Sequence, residues 1–181
     1  MDILESIKAS LDENVNLSSE VKDNIFELVN ILHTKLPDVD LSNFVEPLKT
    51  LQVKKLNKFI SSEVSRYSHV ENILYLNSEK LTDDYDGKHI LMFELLNILT
   101  TKDGKRGFIE DGRFEALNVG FTEILANFLV GNECERSLYQ EQAIETNLIS
   151  IIIGSDVLKE AYFKNDTAIL IKGFKDAGVE V

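Results

Sequence analysis

The sequence predicts an α+β fold that is predominantly helical, with a small sheet beside a central helix and a helical C-terminal third. Two long segments place apolar residues at helical spacing, and a short segment between the N-terminal helix and the central one is rich in β-forming residues. The chain has 181 residues, of which 44% are apolar and 28% charged. This composition is typical of a folded globular protein with a core of its own.

An amphipathic helix is predicted at residues 18–36, SSEVKDNIFELVNILHTKL. Ser18 or Ser19 would cap its start, and Pro37 ends it because proline disfavours helix at the residue before it. The segment at residues 48–60 fits both a helix and a strand, since its apolar residues match either period.

A β-strand is predicted at residues 70–78, where VENILYLNS is short, apolar and rich in β-formers. The polar loop LTDDYDGK leads from this strand into a central helix from about Gly87 to Thr101. The turn-forming segment KDGKRG then stops the helix. A small sheet is therefore expected beside this central helix.

Residues 113–131 form a second strong helix that ends at Gly131. The last third continues as helices in RSLYQEQAIETNLISIIIG, SDVLKEAYF and NDTAILIKGFKDAG. Their caps and stops are predicted at Ser155, at Asn165 or Asp166, at Gly154 and at Gly178.

We therefore expect a single domain over residues 1–181. It would comprise an N-terminal helical part at 1–47, a core at 48–131 and C-terminal helices at 132–181.

The charge of the chain is strongly acidic, at −12 from 19 basic and 31 acidic residues. Half of it lies between Glu110 and Glu145, where eight acidic and two basic residues give −6. Such a field repels phosphate backbones, and no basic patch with interleaved aromatic residues is found, so nucleic acid is excluded as a partner. The charge is explained either by solubility or by attraction to a basic protein partner.

Neither a membrane segment nor a redox site is predicted. No window approaches the ~18 consecutive apolar residues of a membrane span, and the start, MDILESIKAS, has acidic residues where a secretory signal needs basic ones. We expect a cytoplasmic protein without a membrane partner. The single cysteine, Cys134, cannot form an internal disulfide, and its neighbours Glu133 and Glu135 disfavour the thiolate, so we interpret it as structural.

Glu94 lies inside the apolar segment HILMFELLNILTT, at residues 89–101. An unpaired buried charge is costly, so a partner, a proton or a function should accompany it. Three explanations remain open. Glu94 hydrogen-bonds Asn97, Asn118 or Thr122 in a polar network, it is partly exposed in an open groove, or it serves as an acid or base in metal-free chemistry.

Two short motifs resemble those of the His-Glu-x-x-His zinc metallopeptidases of the gluzincin type. This chain reads FELLN at residues 93–97 and LNVGFTE at residues 117–123, where the family reads like HELLH and LNEGFTE. NILYLN stands where the family has its edge strand, and IIIGSDVLKEAYFKND is similar to the helical end of small bacterial and phage members. The resemblance covers roughly Leu48 to Lys175 and implies a zincin-like domain.

In that family two histidines and a glutamate bind zinc, and a further glutamate takes a proton from the metal-bound water. At the three ligand positions this chain has Phe93, Asn97 and Val119, and it keeps only Glu94, at the general-base position. Two of the replacements offer no lone pair, and an amide binds zinc weakly. The resemblance therefore implies a protein with no metal and no cofactor.

No histidine restores the lost ligands. His89 lies one turn before Phe93, but it is about 12 Å along the helix axis from Asn97, too far for one ion. His33 and His69 lie in segments without ligand spacing. Each histidine is predicted to be a surface residue or a hydrogen-bonded one.

Phe93 and Val119 are expected to fill the space that a metal would have occupied, because they are apolar residues on two helices predicted to cross. Glu123, one turn beyond Val119, is interpreted either as an exposed helical residue or as a member of the polar network.

The sequence thus predicts a catalytically inactive metallopeptidase-like protein that binds a protein or a peptide. A bound peptide would add as a strand along Asn72 to Asn77. Two alternatives remain: an active hydrolase with a rearranged site that uses Glu94, and a small acidic inhibitor or immunity-type protein that binds a basic target.

Overall fold

A computed structural model describes residues 2–57, 63–81, 86–132 and 137–179. These residues form eight α-helices and five short strands, which confirms the α+β, predominantly helical fold class. The helices are α1 (Ile3–Glu13), α2 (Ser19–Lys35), α3 (Val45–Thr50), α4 (Gly87–Leu99), α5 (Glu115–Val130), α6 (Gln140–Ile153), α7 (Ser155–Lys164) and α8 (Thr167–Asp176). The strands are β1 (Gln52–Leu56), β2 (Ser65–Ser68), β3 (Ile73–Asn77), β4 (Thr101–Lys102) and β5 (Lys105–Arg106).

The chain divides into two compact units. The first comprises Met1–Leu99 and Ala126–Leu138, and the second comprises Thr100–Leu125 and Tyr139–Val181. Helix α5 therefore contributes residues to both units. The single domain over residues 1–181 stays a prediction.

The first unit begins with three helices, of which α2 matches the predicted amphipathic helix. Ser18 caps α2, since its side chain accepts a hydrogen bond from the Val21 amide. The helix ends at Lys35, two residues before Pro37. Asn14 ties α1 to the end of α3, because its side-chain amide donates to the Leu48 carbonyl at 2.8 Å.

The sheet of the first unit has the order β1-β3-β2. β3 pairs in parallel with β1, with Gln52 opposite Ile73, and antiparallel with β2, with Ser65 opposite Leu76. The expectation of a free edge at Asn72 to Asn77 is wrong, because neighbouring strands occupy both sides of β3. One neighbour comes from the segment that fitted both a helix and a strand. The start of this segment ends α3, and its next residues form β1.

α4 is the central helix of the first unit and is buried along nearly its whole length. Asp86 caps it by accepting hydrogen bonds from the amides of Lys88 and His89. At its end, the Asn43 side chain donates to the Leu99 carbonyl at 2.6 Å. The helix stops before the predicted Thr101, which instead enters strand β4.

The second unit contains the β4–β5 hairpin, most of α5 and the three C-terminal helices. The hairpin turn has φ 51° at Asp103 and 77° at Gly104, as a two-residue Asp-Gly turn requires. Asp166 caps α8 through the Ala168 amide, whereas the predicted Ser155 cap is wrong. The N-cap position of α7 is Gly154, which also ends α6.

Across the described ranges, none of the helices combines the length and the apolar character needed to cross a membrane.

Candidate functional site

Glu94 occupies the middle of α4 and is only 1% exposed. The interpretation that placed it in an open groove is therefore wrong. Phe93, beside it, is 4% exposed, and Asn97, one turn later, is 5% exposed. The motif FELLN thus lies in the core of the first unit.

Both carboxylate oxygens of Glu94 accept hydrogen bonds within this unit. The Ser65 hydroxyl donates to Oε1 at 2.6 Å, and the Tyr67 backbone amide donates to Oε2 at 3.2 Å. The Asn97 side-chain amide also donates to Oε2, at 3.2 Å. Glu94 therefore fastens β2 to α4, and the predicted hydrogen bond with Asn97 is confirmed.

Ser65 and Tyr67 are hydrogen-bond partners of Glu94 that the sequence does not predict. They point to the buried side of β2, with the exposed Arg66 between them. Burial raises the pKa of the Tyr67 hydroxyl, which donates to Asn72 Oδ1 at 2.9 Å. The two-residue alternation in SRYS was the available signal, although four residues are too few to identify a strand.

The histidines of the described ranges have different surroundings. His89 is 1% exposed, and its Nδ1 lies 3.0 Å from the Gly131 carbonyl oxygen, so it is hydrogen-bonded as predicted. His69 is exposed. The Nδ1 atom of His33 is buried without a hydrogen-bond partner among the described residues, although the residue as a whole is partly exposed.

The motif LNVGFTE lies on α5, in the second unit, and its polar side chains hold that unit together. Asn118 Oδ1 accepts a hydrogen bond from the Phe108 amide at 2.9 Å. The Thr122 hydroxyl donates to the Asn118 carbonyl at 2.8 Å and lies 2.8 Å from the Tyr162 hydroxyl. Asn118 and Thr122 thus have structural partners.

Gly120 has a packing role within the same motif. A Cβ atom at this position would lie 2.2 Å from the Gln142 carbonyl oxygen and 2.3 Å from Thr146 Oγ1. Both contacts belong to α6, so α5 and α6 cross more closely than any larger residue permits. The glycine of the motif is therefore explained by helix packing.

The remaining two predicted residues of α5 differ in burial. Glu123 is fully buried, so the interpretation of it as an exposed helical residue is wrong, while its place in a polar network stays a prediction. Val119 is half-buried. Phe93 belongs to the first unit and Val119 to the second, and their filling of a former metal space stays a prediction.

The residues at the three family ligand positions do not fit a zinc ion. Phe93 and Val119 carry no donor atom, and the amide of Asn97 already donates to Glu94. Among the described residues, no three histidine, cysteine, aspartate or glutamate side chains cluster as a metal site would require. Cys134, Glu133 and Glu135 lie outside the described residues.

Among the described residues between Glu110 and Glu145, the carboxylates have different surroundings. Glu110 forms an ion pair with Lys105 at 2.7 Å and accepts a hydrogen bond from the Thr167 hydroxyl at 2.5 Å. The hydrogen bonds from Lys105 and Thr167 hold the pKa of Glu110 below its ordinary value. Glu123 is buried, which leaves Glu141 and Glu145 among the exposed carboxylates of this stretch.

Comparisons of the chain with protein-family models, curated proteins and solved structures found no match.

Proposed function

We propose that this chain is a catalytically inactive, zincin-like protein that acts by binding another protein. The proposal joins two kinds of support: the resemblance of the α4 and α5 motifs to a metallopeptidase site without its ligands, and the bonding of the one retained residue. A cytoplasmic location belongs to the same proposal.

The bonding of Glu94 is the observation that carries the loss of catalysis. A general base must reach a water or a substrate proton with a free acceptor lone pair. The Glu94 carboxylate is buried and accepts hydrogen bonds from Ser65, Tyr67 and Asn97. Moving it to a substrate would break these bonds and leave buried donors unpaired, which costs about 1–3 kcal/mol for each.

The binding role is supported by where the apolar surface lies. Four large aliphatic side chains of α6 are at least half exposed. Such a cluster on one helix is unfavourable in water and typical of an interaction surface. These residues are Ile144, Leu148, Ile151 and Ile152, which we call the α6 stripe.

Metal analysis and a hydrolysis assay test this proposal together. The purified full chain should contain less than stoichiometric zinc by mass spectrometry of the metals. A mixed peptide pool incubated with the protein, with and without added zinc, should stay uncleaved.

The variant Glu94→Gln is the control for the hydrolysis assay. If the wild type cleaves peptides and Glu94→Gln does not, while both have the same circular dichroism spectrum, the chain is a hydrolase and the proposal is wrong. Equal and negligible cleavage by both proteins is the expected result.

A further inference from the structure

The α6 stripe runs along one face of its helix. Its members are separated by four, three and one residues, which places them on a single face about 12 Å long. Their exposed fractions are 55% for Ile144, 59% for Leu148, 80% for Ile151 and 53% for Ile152.

The opposite face of α6 holds the helix in the second unit. Thr146 is 1% exposed and Ile153 is 8% exposed. On the same inner face, the Gln142 carbonyl comes too close to Gly120 for any side chain to fit between the two helices. The stripe is therefore presented on a helix whose inner face is closely packed.

Two exposed carboxylates, Glu141 and Glu145, stand on either side of Ile144 in the first half of α6. Glu141 and Glu145 precede Leu148 by seven and three residues, so they lie on the same face. The sequence of α6, QEQAIETNLISIII, contains no basic residue to pair with them. The first half of the face thus carries two glutamates around Ile144, and its second half is aliphatic.

We propose that the α6 stripe binds an amphipathic helix of another protein, one with aliphatic residues on one face and lysine or arginine at one end. Aliphatic ridges of two helices interlock at this spacing, and the basic end would pair with Glu141 and Glu145. This inference rests on the proposed binding function and names the partner's chemistry.

The charges favour this occupant over a second copy of the chain. Each copy carries −12, and an antiparallel pair of α6 helices would set Glu141 and Glu145 of one copy against the aliphatic end of the other. The carboxylates would then lose water without gaining a cation, which is unfavourable.

The same charges argue against a membrane surface. Helices that lie on membranes carry lysine and arginine beside their apolar face and are attracted to anionic lipids. The α6 face carries glutamates, which anionic headgroups repel.

Fluorescence anisotropy with synthetic peptides tests the proposal. The probe is a fluorescein-labelled helical peptide with leucine along one face and lysine at one end of that face, and the control peptide has glutamate in place of every lysine. Wild-type protein should bind the lysine peptide, and added salt should weaken this binding. Binding of the glutamate peptide should be at least about tenfold weaker.

Substitutions in the protein locate the binding surface. Leu148→Gln with Ile151→Gln should weaken binding of the lysine peptide about tenfold or more, because both positions lie at the centre of the stripe. The matched control, Val15→Gln with Val70→Gln, changes two side chains that are 93% and 83% exposed elsewhere, and it should bind as the wild type does. Glu141→Gln with Glu145→Gln should weaken binding severalfold and reduce its salt dependence.

Several outcomes would overturn the inference. They are failure of the wild type to bind the lysine peptide, equal loss in the Val15 and Val70 control, and equal binding of the glutamate peptide. Stripe-dependent binding to phosphatidylcholine–phosphatidylserine vesicles would indicate a membrane surface instead, and stripe-dependent dimerisation in sedimentation velocity would indicate a second copy. Cleavage of the peptide would instead reject the inactive-protein proposal, so the two failures are distinguishable.

Discussion

Helix α4 buries polar side chains, whereas helix α6 exposes large apolar ones. Each helix thus departs from the usual relation between polarity and burial, and in the opposite direction from the other. α4 buries His89, Glu94 and Asn97, each no more than 5% exposed, whereas α6 leaves Ile151 80% exposed. On α4 the buried polar atoms have hydrogen-bond partners, so a structural role accounts for them. On α6 no packing among the described residues accounts for the apolar exposure, which is why we assign an interaction to it.

The largest change in stability is expected from a substitution of Glu94, the buried carboxylate of α4. Glu94→Ala should lower the free energy of unfolding by about 4 kcal/mol, because it removes from the core the acceptor of the hydrogen bonds from Ser65, Tyr67 and Asn97. Urea denaturation followed by circular dichroism measures the change. Glu79→Ala is the control, since Glu79 is exposed in a turn, and it should change stability by less than about 0.5 kcal/mol.

Equal stability of the two variants would mean that the Glu94 network does not hold β2 to α4. The burial of the carboxylate would then require another explanation, and a role in chemistry would regain support.

The second prediction concerns the buried side of α6. Gly120→Ala should lower the free energy of unfolding by about 1–3 kcal/mol, because the added methyl group would meet backbone atoms of α6 and force the helices apart. Gly87→Ala is the matched control, since a Cβ there meets nothing within 4 Å in the described structure. Thermal denaturation of both variants measures the difference, and a neutral Gly120→Ala would contradict the close helix crossing.

The sequence predicts the long elements of this fold well, because helical periodicity is a local signal. α2 follows from apolar spacing with a cap at Ser18 and a stop before Pro37, and α4 and α5 follow from long apolar segments that end at turn-forming residues. Strands β1 and β2 do not, since four or five residues give too short a pattern and their pairing depends on β3. Because the sequence did not predict β1 and β2, the segment from Asn72 to Asn77 was wrongly expected to be an edge strand.

The candidate site was predicted only in part, for a similar reason. Asn97 lies three residues from Glu94 on the same helix, and its hydrogen bond to Glu94 was among the alternatives that the sequence left open. Ser65 and Tyr67 lie 29 and 27 residues away, and only the folded sheet brings them to the carboxylate. Apolar spacing on α6 also predicts a helix correctly, but spacing alone does not say whether the face is covered.

The third prediction concerns Glu110, a carboxylate that is hydrogen-bonded nearer the surface than Glu94. Because the folded pKa of Glu110 is lowered, its contribution to stability is present above the unfolded pKa and is lost as the pH falls through the folded pKa. The midpoint of thermal unfolding should therefore fall as the pH decreases below about 4.5. Glu110→Gln should reduce this dependence, whereas Glu145→Gln, at an exposed position, should leave it unchanged.

A pH dependence that is identical in the wild type and in Glu110→Gln would show that the bonds of Glu110 to Lys105 and Thr167 do not stabilise the second unit measurably.

The smallest effect is expected on the α6 stripe itself. Leu148→Gln with Ile151→Gln should change the free energy of unfolding by no more than about 0.5 kcal/mol, because exposed side chains make few contacts in the folded chain. Leu158→Ala, at a fully buried position of α7, should cost about 2–5 kcal/mol in the same denaturation experiment. A large cost in the stripe variant would mean that these residues serve the fold and are not held ready for a partner. A small cost, together with loss of peptide binding, separates the two roles, since α6 would then contribute stability from its inner face and recognition from its outer one.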